Sequence, residues 1–282
     1  MKATILSQIL ERKRDAIARL QAESSSRDFY QRALEIRQNT EPHRLLEALK
    51  SDSPALKIIA EFKRRSPSAG TLRDHSTVSE IIRSYDRGGA CAISVLTDEQ
   101  YFGGSITDLC AARSITKLPL LCKDFIIDPI QIFEAAIAGA DAVLLVVAAL
   151  EGTSLKQLHS LAEKKLGLDA LVEVHNRGEL KGALHAGAKI IGVNNRDLGT
   201  FHVSLSTSQR LISQAPRDRI LISESGLQGA DSLIRLRKLG FHGFLVGQAL
   251  MCADNPEIAL RELVTAGETR NPVSASTGDW QR

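Results

Sequence analysis

The chain has 282 residues, of which 43% are hydrophobic, and its 36 lysines and arginines against 33 aspartates and glutamates leave a net charge of +3. The two signs of charge are mixed along the sequence, which argues against a dedicated nucleic-acid surface but is compatible with a local basic site for a small anion. Length alone permits one α/β barrel or two smaller domains, and evenly spaced strands would favour the single barrel.

Neither a metal site nor a membrane span is predicted. The four cysteines are scattered, with no CxxC pair and no Cys/His cluster, so we interpret them as reduced packing residues of a cytoplasmic protein. The charged start of the chain lacks the apolar core of a signal peptide and is typical of an amphipathic helix. The longest apolar run, residues 142–150, is far shorter than the roughly 20 residues that cross a bilayer.

Residues 1–50 are predicted to form a helical extension that packs against the rest of the chain. Residues 51–268 then alternate short β-branched or aliphatic runs with helical stretches, the pattern of a parallel sheet. The predicted strands are 57–62, 90–97, 118–125, 141–147, 169–174, 188–194, 218–225 and 243–247.

Eight strand–helix units in about 220 residues predict an α/β fold of the (β/α)8 TIM barrel type with an N-terminal helical extension. A doubly wound open sheet is the alternative, but no GxGxxG motif follows the first strand and no acidic residue is placed to hold a ribose. The polar, small-residue-rich end of the chain, residues 269–282, is expected to be a poorly ordered tail.

Ionisable and polar residues are concentrated at the carboxyl ends of the predicted strands, where barrels of this type carry their chemistry. They are Glu61 and Lys63 on the first strand, Lys123 on the third, Glu173 on the fifth, Asn194 on the sixth and Glu224 on the seventh. On a strand, Glu61 and Lys63 point to the same face, and taken alone they could be a structural ion pair. A whole ring of such groups, each costly to desolvate, instead predicts a polar substrate pocket.

The last two strands end in glycine-containing turns, "SESGL" at 223–227 and "LVGQAL" at 245–250. Barrels commonly hold a phosphate at this position with backbone N–H groups and a short helix N-terminus, which requires glycine for close approach. An ordinary tight turn is the alternative. Glycine in both turns favours a phosphate site.

These motifs together resemble one family, indole-3-glycerol phosphate synthase. The stretches that carry the resemblance are "IIAEFKRRSPSAG" (58–70), "ISVLTDEQYFGGS" (93–105), "LPLLCKDFIIDPIQIFEAAIAGADAVLLVVAAL" (118–150), "LVEVHNRGEL" (171–180), "IIGVNNRDLGTF" (190–201), "ISESGL" (222–227) and "GFLVGQALM" (243–251). Each stretch lies on its expected strand in the expected order, and only the last ten or so residues fall outside the resemblance.

The resemblance implies conversion of 1-(2-carboxyphenylamino)-1-deoxyribulose 5-phosphate to indole-3-glycerol phosphate, with loss of CO2 and water and without a metal or organic cofactor. It implies that Lys123 is the general acid of ring closure, and we expect its pKa to be lowered by nearby cations and apolar walls. Lys63 is expected to pair with the substrate carboxylate, with proton transfer during dehydration as a further role, and Glu61 either to orient Lys63 or to share in the proton transfer. Which lysine acts in which step is left open by the sequence. Glu173 is the expected acid–base of dehydration. Asn194 and Glu224 are expected to hold sugar hydroxyls and the ammonium groups.

Further positions are carried over as substrate-binding residues. They are Ser66, Phe102, Phe125, Arg196, Leu198 and Ser225, with Gly226, Gly247 and the backbone of Gln248 as the phosphate site. The two phenylalanines could equally be loop anchors, and Arg196 could simply pair with Asp197. Gln248 replaces the commoner serine of the family. His175, directly after Glu173, should face the opposite way and is interpreted as a packing or loop residue.

Two alternatives remain open at this stage. Other phosphate-binding barrels, such as phosphoribosylanthranilate isomerase or the tryptophan synthase α chain, would not need lysines at the ends of the first and third strands. A barrel that binds a ligand without catalysis should lack one of Lys63, Lys123 and Glu173, and all three are present. The expected partner is a small phosphorylated aromatic substrate, and neither nucleic acid nor a membrane is expected to bind. The protein is expected to be a monomer or a weak homo-oligomer. The loop at 64–72 is predicted to be a mobile lid.

Overall fold

The computed structural model describes residues 4–23, 25–67, 69–73 and 76–268. The predicted tail at 269–282 lies outside the described residues. Three helices precede the first strand, in agreement with the predicted helical start: α1 (Ile5–Glu23), α2 (Ser26–Gln38) and α3 (Arg44–Lys50).

Eight parallel strands close into a barrel. They are β1 (Ile58–Phe62), β2 (Ala92–Leu96), β3 (Leu120–Lys123), β4 (Ala142–Val146), β5 (Asp169–Val174), β6 (Ile190–Asn194), β7 (Ile220–Glu224) and β8 (Gly243–Val246). Each strand pairs with its neighbours in chain order, and β1 pairs with both β2 and β8, with Ile59 opposite Ala92 and opposite Leu245. The predicted (β/α)8 barrel is therefore confirmed, and an open sheet is excluded because the first and last strands are hydrogen-bonded.

Helices and short elements fill the connections. The helices are α4 (Val78–Arg87), α5 (Glu99–Phe102), α6 (Ile106–Ile115), α7 (Pro129–Ile137), α8 (Gly152–Ser160), α9 (Arg177–Ala186), α10 (Ser206–Ile212), α11 (Ala230–Leu239), α12 (Gln248–Met251) and α13 (Pro256–Thr265). A 3-10 turn spans Val147–Ala149, a π-helical turn Leu161–Lys165 extends α8, and Arg65–Ser66 pairs with Gly70–Thr71 in a small hairpin after β1. No helix in the described part of the chain is long and apolar enough to cross a membrane.

Local sequence explains where several helices begin. Thr77 and Glu80 form a reciprocal capping box at the start of α4, in which each side chain bonds the other residue's backbone N–H. Asp128 and Gln131 do the same at α7, where Pro129 occupies the first turn and loses no hydrogen bond by lacking an N–H. These caps satisfy N–H groups that have no partner within the helix.

The apolar core is divided by the sheet into two layers. The larger layer lies between the outer faces of the strands and the surrounding helices. The smaller one fills the barrel interior, and Leu45, Leu46 and Leu49 of α3 pack into it from the amino ends of the strands. Because α3 closes that end of the barrel, the opposite end, at the carboxyl ends of the strands, remains available for a site.

Buried charges anchor the N-terminal helices to this closed end. Asp141, just before β4, is 1% exposed and accepts hydrogen bonds from Arg44 at 2.9 and 3.0 Å and from Arg113 at 2.9 Å. Arg37 lies 3.8 Å from the same carboxylate. Asp169, at the start of β5, accepts the backbone N–H of Leu46 at 2.9 Å. These pairs fix where α2 and α3 meet the barrel.

Candidate active site

A cavity of about 610 Å³ lies at the carboxyl ends of the strands. All the positions predicted as catalytic or binding residues line it: Glu61, Lys63, Ser66, Phe102, Lys123, Phe125, Glu173, Asn194, Arg196, Leu198, Glu224, Ser225, Gly226, Gly247 and Gln248. These residues are spread over almost 190 positions of sequence, and barrel closure brings them around one space.

Lys123 lies at the centre of the polar residues of the cavity. At the end of β3, its Nζ donates to Glu173 Oε2 at 2.9 Å and to Glu224 Oε2 at 2.8 Å. Burial by itself acts to lower the pKa of Lys123, but the charges of Glu173, Glu224 and Glu61 together raise it above its ordinary value. The expected lowering of this pKa was wrong, because the neighbours of Lys123 in space are carboxylates rather than cations.

The two glutamates that hold Lys123 have different environments. Burial raises the pKa of Glu224 to about 7, with Glu173 and Glu61 adding repulsion against the attraction of Lys123. Its Oε1 has no hydrogen-bond partner among the described residues. Burial also acts to raise the pKa of Glu173, but Lys123, His175 and the amide of Asn194 overcome it and lower that pKa to about 2. The site therefore pairs a carboxylate that stays ionised with one that titrates near neutrality.

Lys63 and Glu61 form a pair at the mouth of β1. Lys63 Nζ lies 2.5 Å from Glu61 Oε1, and the two side chains are 15% and 7% exposed. The prediction that they point to the same face is confirmed. Both line the cavity, so the ammonium of Lys63 faces the substrate space while Glu61 holds it from behind.

Two glycines make room for these carboxylates. A Cβ on Gly192, in the middle of β6, would lie 2.0 Å from Glu224 Oε1. A Cβ on Gly247 would lie 2.3 Å from Glu61 Oε1. Gly247 was predicted only as a phosphate-site residue, and Gly192 was not singled out by the sequence. Both are required because an inward-facing side chain at either position would occupy the space of a carboxylate.

The turns after β7 and β8 form another part of the cavity wall. Ser225 and Gly226 both have positive φ, 64° and 74°, so the turn exposes consecutive backbone groups at a conformation that costs energy for a serine. Asn195 holds this turn, since its Nδ2 donates to the carbonyl oxygens of Glu224 at 2.9 Å and Ser225 at 3.2 Å. After β8, α12 begins at Gln248.

The remaining predicted binding residues lie around the rim. Ser66 is buried within the hairpin after β1, while Phe102, Phe125 and Leu198 are partly buried on the apolar side. Arg196 donates its backbone N–H to Asn194 Oδ1 at 3.0 Å, and its guanidinium donates to the carbonyl oxygen of Phe201 at 3.3 Å. Burial lowers the pKa of Arg196.

The sequence did not indicate that α1 would also line the cavity. Ile5, Leu6 and Ile9 contribute apolar side chains to its wall. Lys13, one turn further, joins α1 to the barrel through Asp98 at 3.0 Å and Asp124 at 2.6 Å. The amphipathic pattern of α1 predicted a packed helix, but only the fold shows that it packs over the site.

His175 lies in the loop after β5, as one of its two predicted interpretations had it, but the prediction that it faces away from Glu173 was wrong. β5 ends at Val174, so the strand alternation that would turn His175 away no longer applies. Its Nε2 lies 3.4 Å from Glu173 Oε1 and its Nδ1 lies 3.0 Å from Glu179 Oε2. The charges of these neighbours matter for its pKa: burial acts to lower it, but Glu179 and Glu173 raise it overall.

Comparison with known proteins identifies the family. The family model described as indole-3-glycerol phosphate synthase matches residues 6–263. Among curated relatives, the indole-3-glycerol phosphate synthase of Bacteroides thetaiotaomicron is 41% identical over 267 residues, which cover 93% of this chain and 98% of the relative. The enzyme of the same name from Bacillus cereus is 42% identical over 253 residues, covering 89% and 94%.

Similarity to solved structures of lower identity concerns the fold alone. A thiamine phosphate pyrophosphorylase from Pyrococcus furiosus is 19% identical with a TM-score of 0.58, covering 76% of this chain and 96% of that one. A 3-hexulose-6-phosphate synthase from Salmonella typhimurium is 14% identical with a TM-score of 0.60, covering 77% and 100%. Both are consistent with the closed barrel. From the family match across nearly its whole length and the two relatives above 40% identity, the chain belongs to the indole-3-glycerol phosphate synthase family.

Proposed function

We propose that this chain converts 1-(2-carboxyphenylamino)-1-deoxyribulose 5-phosphate to indole-3-glycerol phosphate, releasing CO2 and water, as a carboxy-lyase of tryptophan biosynthesis. The observation that carries the proposal is the convergence of two lysines on one cavity, Lys63 directly after β1 and Lys123 at the end of β3, with Glu173 and Glu224 behind Lys123. An anionic aromatic substrate with a carbonyl to be activated requires this combination of groups.

The substrate would be held at both ends. Its phosphate would lie against the backbone N–H groups at Gly226, Gly247 and Gln248, where glycine allows close approach. Its carboxylate would pair with Lys63, and Leu198 with the two predicted phenylalanines would cover the flat ring. Such two-point binding places the ring carbon near the ribulose carbonyl and lowers the entropic part of the barrier.

Lys123 would act on the carbonyl oxygen during ring closure. Because its raised pKa keeps it an ammonium, it would first stabilise developing negative charge on that oxygen. It can still deliver its proton, since the alkoxide formed by the attack is far more basic than an amine. Decarboxylation then restores the aromatic ring.

Glu173 would serve in the dehydration that follows. Its lowered pKa keeps it ionised and so available to accept a proton from the new ring, while the amide of Asn194 donates to its Oε1 at 3.0 Å. Glu224 and Glu61 would orient the two ammonium groups. We expect the substrate to be the only partner this site requires, in the cytoplasm and without nucleic acid, and we expect a monomer or weak homo-oligomer.

Fluorescence-monitored turnover tests the proposal, because indole formation creates a new chromophore. Lys123→Met should abolish turnover while substrate binding, measured by equilibrium titration, stays within a few-fold. The matched control is Lys156→Met, an exposed lysine of α8, which should leave turnover unchanged. Product formation by Lys123→Met at the unmodified rate would refute the assigned acid, and no product from the unmodified chain would refute the function.

A further inference from the structure

A second cavity, of about 370 Å³, lies beside the first, and nothing in the mechanism above uses it. Its wall includes His175, Asp197, His202 and Arg210, together with Asn194, which lines the main cavity as well. His175 thus lies between this cavity and the carboxylate of Glu173, which is 3% exposed. This position allows a proton to be exchanged between the second cavity and Glu173 through His175.

The proposed reaction consumes a proton that has to reach Lys123 from solvent. An anionic carboxylate leaves as neutral CO2, so each turnover consumes one proton, the one that Lys123 gives to the carbonyl oxygen. Dehydration is neutral overall, because the proton taken by the departing hydroxyl is balanced by the proton lost from the ring. Lys123 must therefore regain a proton from solvent once per cycle, and a route through the second cavity would serve this while substrate or product fills the main one.

Hydrogen bonding fixes which nitrogen of His175 exchanges a proton. Glu179 Oε2 accepts the backbone N–H of His175 at 2.7 Å and lies 3.0 Å from Nδ1. Because Glu179 Oε2 already accepts the backbone N–H, Nδ1 carries the hydrogen of its contact with that oxygen. Nε2 has no hydrogen-bond partner among the described residues and faces Glu173 Oε1 at 3.4 Å. One proton can then lie on Nε2 or on the carboxylate, and Glu173 in turn contacts Lys123 at 2.9 Å.

We propose that His175, oriented by Glu179, is a positioning and relay residue that carries the proton consumed in each turnover from the second cavity to Glu173 and on to Lys123. The imidazolium gives its Nε2 proton to Glu173, which passes it to the neutral amine of Lys123. The neutral imidazole then takes a proton from water in the second cavity, and the hydroxide left behind is neutralised by a proton from bulk solvent, which is the proton consumed overall. The inference rests on the proposed function.

The charges around His175 support a cationic relay. Glu179 on α9, Glu173 on β5 and Glu224 on β7 face it and raise its pKa against the effect of burial. The pKa of Asp197, in the loop after β6, is lowered mainly by its hydrogen bonds from Thr200, and His175 makes a smaller contribution in the same direction. Arg196 and Arg210 line the same cavity and oppose this attraction. The acidic groups prevail, so the pKa of His175 lies above its ordinary value.

A single-turnover experiment separates a relay from a structural role. In His175→Ala, Lys123 is already protonated when substrate binds, so one turnover with enzyme in excess should proceed at the unmodified rate. Under substrate excess, kcat should fall at least tenfold with KM changed less than twofold. Added imidazole should restore kcat in proportion to its protonated concentration, because it can enter the space left in the second cavity.

Two further variants complete the test. Glu179→Gln keeps an oxygen for the backbone N–H but removes the charge, so it should lower the His175 pKa seen by NMR and reduce kcat without changing the single-turnover rate. His202→Ala, an exposed histidine of the same cavity, is the matched control and should leave both rates unchanged.

A His175→Ala enzyme with unmodified kcat, or one whose single-turnover and steady-state rates fall together, would overturn the relay. Failure of imidazole to restore kcat would do the same. Each of these results leaves the proposed function standing, because the unmodified chain is active in them. Absence of turnover in the unmodified chain would instead overturn the function, and the relay with it.

Discussion

Gly192→Ala tests whether the position of one carboxylate controls catalysis. The new methyl group would lie 2.0 Å from Glu224 Oε1, and an ordinary contact begins at about 3.4 Å, so the oxygen must move by at least 1.4 Å, the difference of the two distances. The obstructing atom is the end of a flexible side chain rather than backbone, so the side chain can give way while the barrel stays folded. Glu224 would then lose its 2.8 Å bond to Lys123.

The expected cost follows from this displacement. A misplacement of about 1 Å in catalytic machinery can reduce the rate about 100-fold. We therefore expect kcat/KM to fall by about two orders of magnitude, a loss of about 2.7 kcal/mol in transition-state stabilisation. Thermal unfolding should change by no more than a few degrees.

The assay is fluorescence-monitored turnover in a double-mutant cycle with Glu224→Ala. If the methyl group acts by displacing Glu224, adding Gly192→Ala to that variant should have almost no further effect. Gly152→Ala is the matched control, since a Cβ there meets nothing within 4 Å. Unmodified kcat/KM in Gly192→Ala, or an undiminished effect in the Glu224→Ala background, would refute the reasoning.

Three other predictions concern pH, stability and the N-terminal helix. Glu224, with a pKa of about 7, becomes negatively charged as pH rises through 7 and so makes Lys123 a weaker acid, so kcat/KM should fall above pH 7. Glu224→Gln should remove this inflection from the plot of kcat/KM against pH. An unaltered plot would contradict the assignment. Asp141→Ala leaves buried Arg37 and partly buried Arg44 and Arg113 without their shared carboxylate and should lower the free energy of unfolding in urea by about 3–5 kcal/mol. Asp218→Asn, which removes an exposed carboxylate, should change it by less than about 0.5 kcal/mol. Lys13→Met removes the ion pairs that hold α1 over the cavity, so it should raise KM by a factor several-fold larger than the factor by which it lowers kcat. Equal effects on KM and kcat would argue that α1 does not act through substrate binding alone.

Some features of the site could not be predicted from sequence because they depend on neighbours in space. Glu173 and Glu224 lie 50 and 101 residues beyond Lys123 in the chain, yet both bond its ammonium. Sequence reasoning placed cations around Lys123 and so predicted the wrong direction for its pKa. Gly192 likewise has no local signature, since its requirement comes from a side chain on the neighbouring strand.

The alternation of apolar runs and helical stretches predicted a parallel sheet, because each strand buried on both faces must be apolar and must be followed by a crossover helix. The count of eight units and the lack of a GxGxxG motif then favoured the closed barrel over an open sheet. Period-two alternation also placed Glu61 and Lys63 on one face, and strand ends marked the residues that line the cavity. Only the tertiary structure decided the protonation behaviour of those residues and the contact of His175 with Glu173. The physical reason is that burial and Coulomb interactions depend on distances through space, which the order of residues along the chain does not specify.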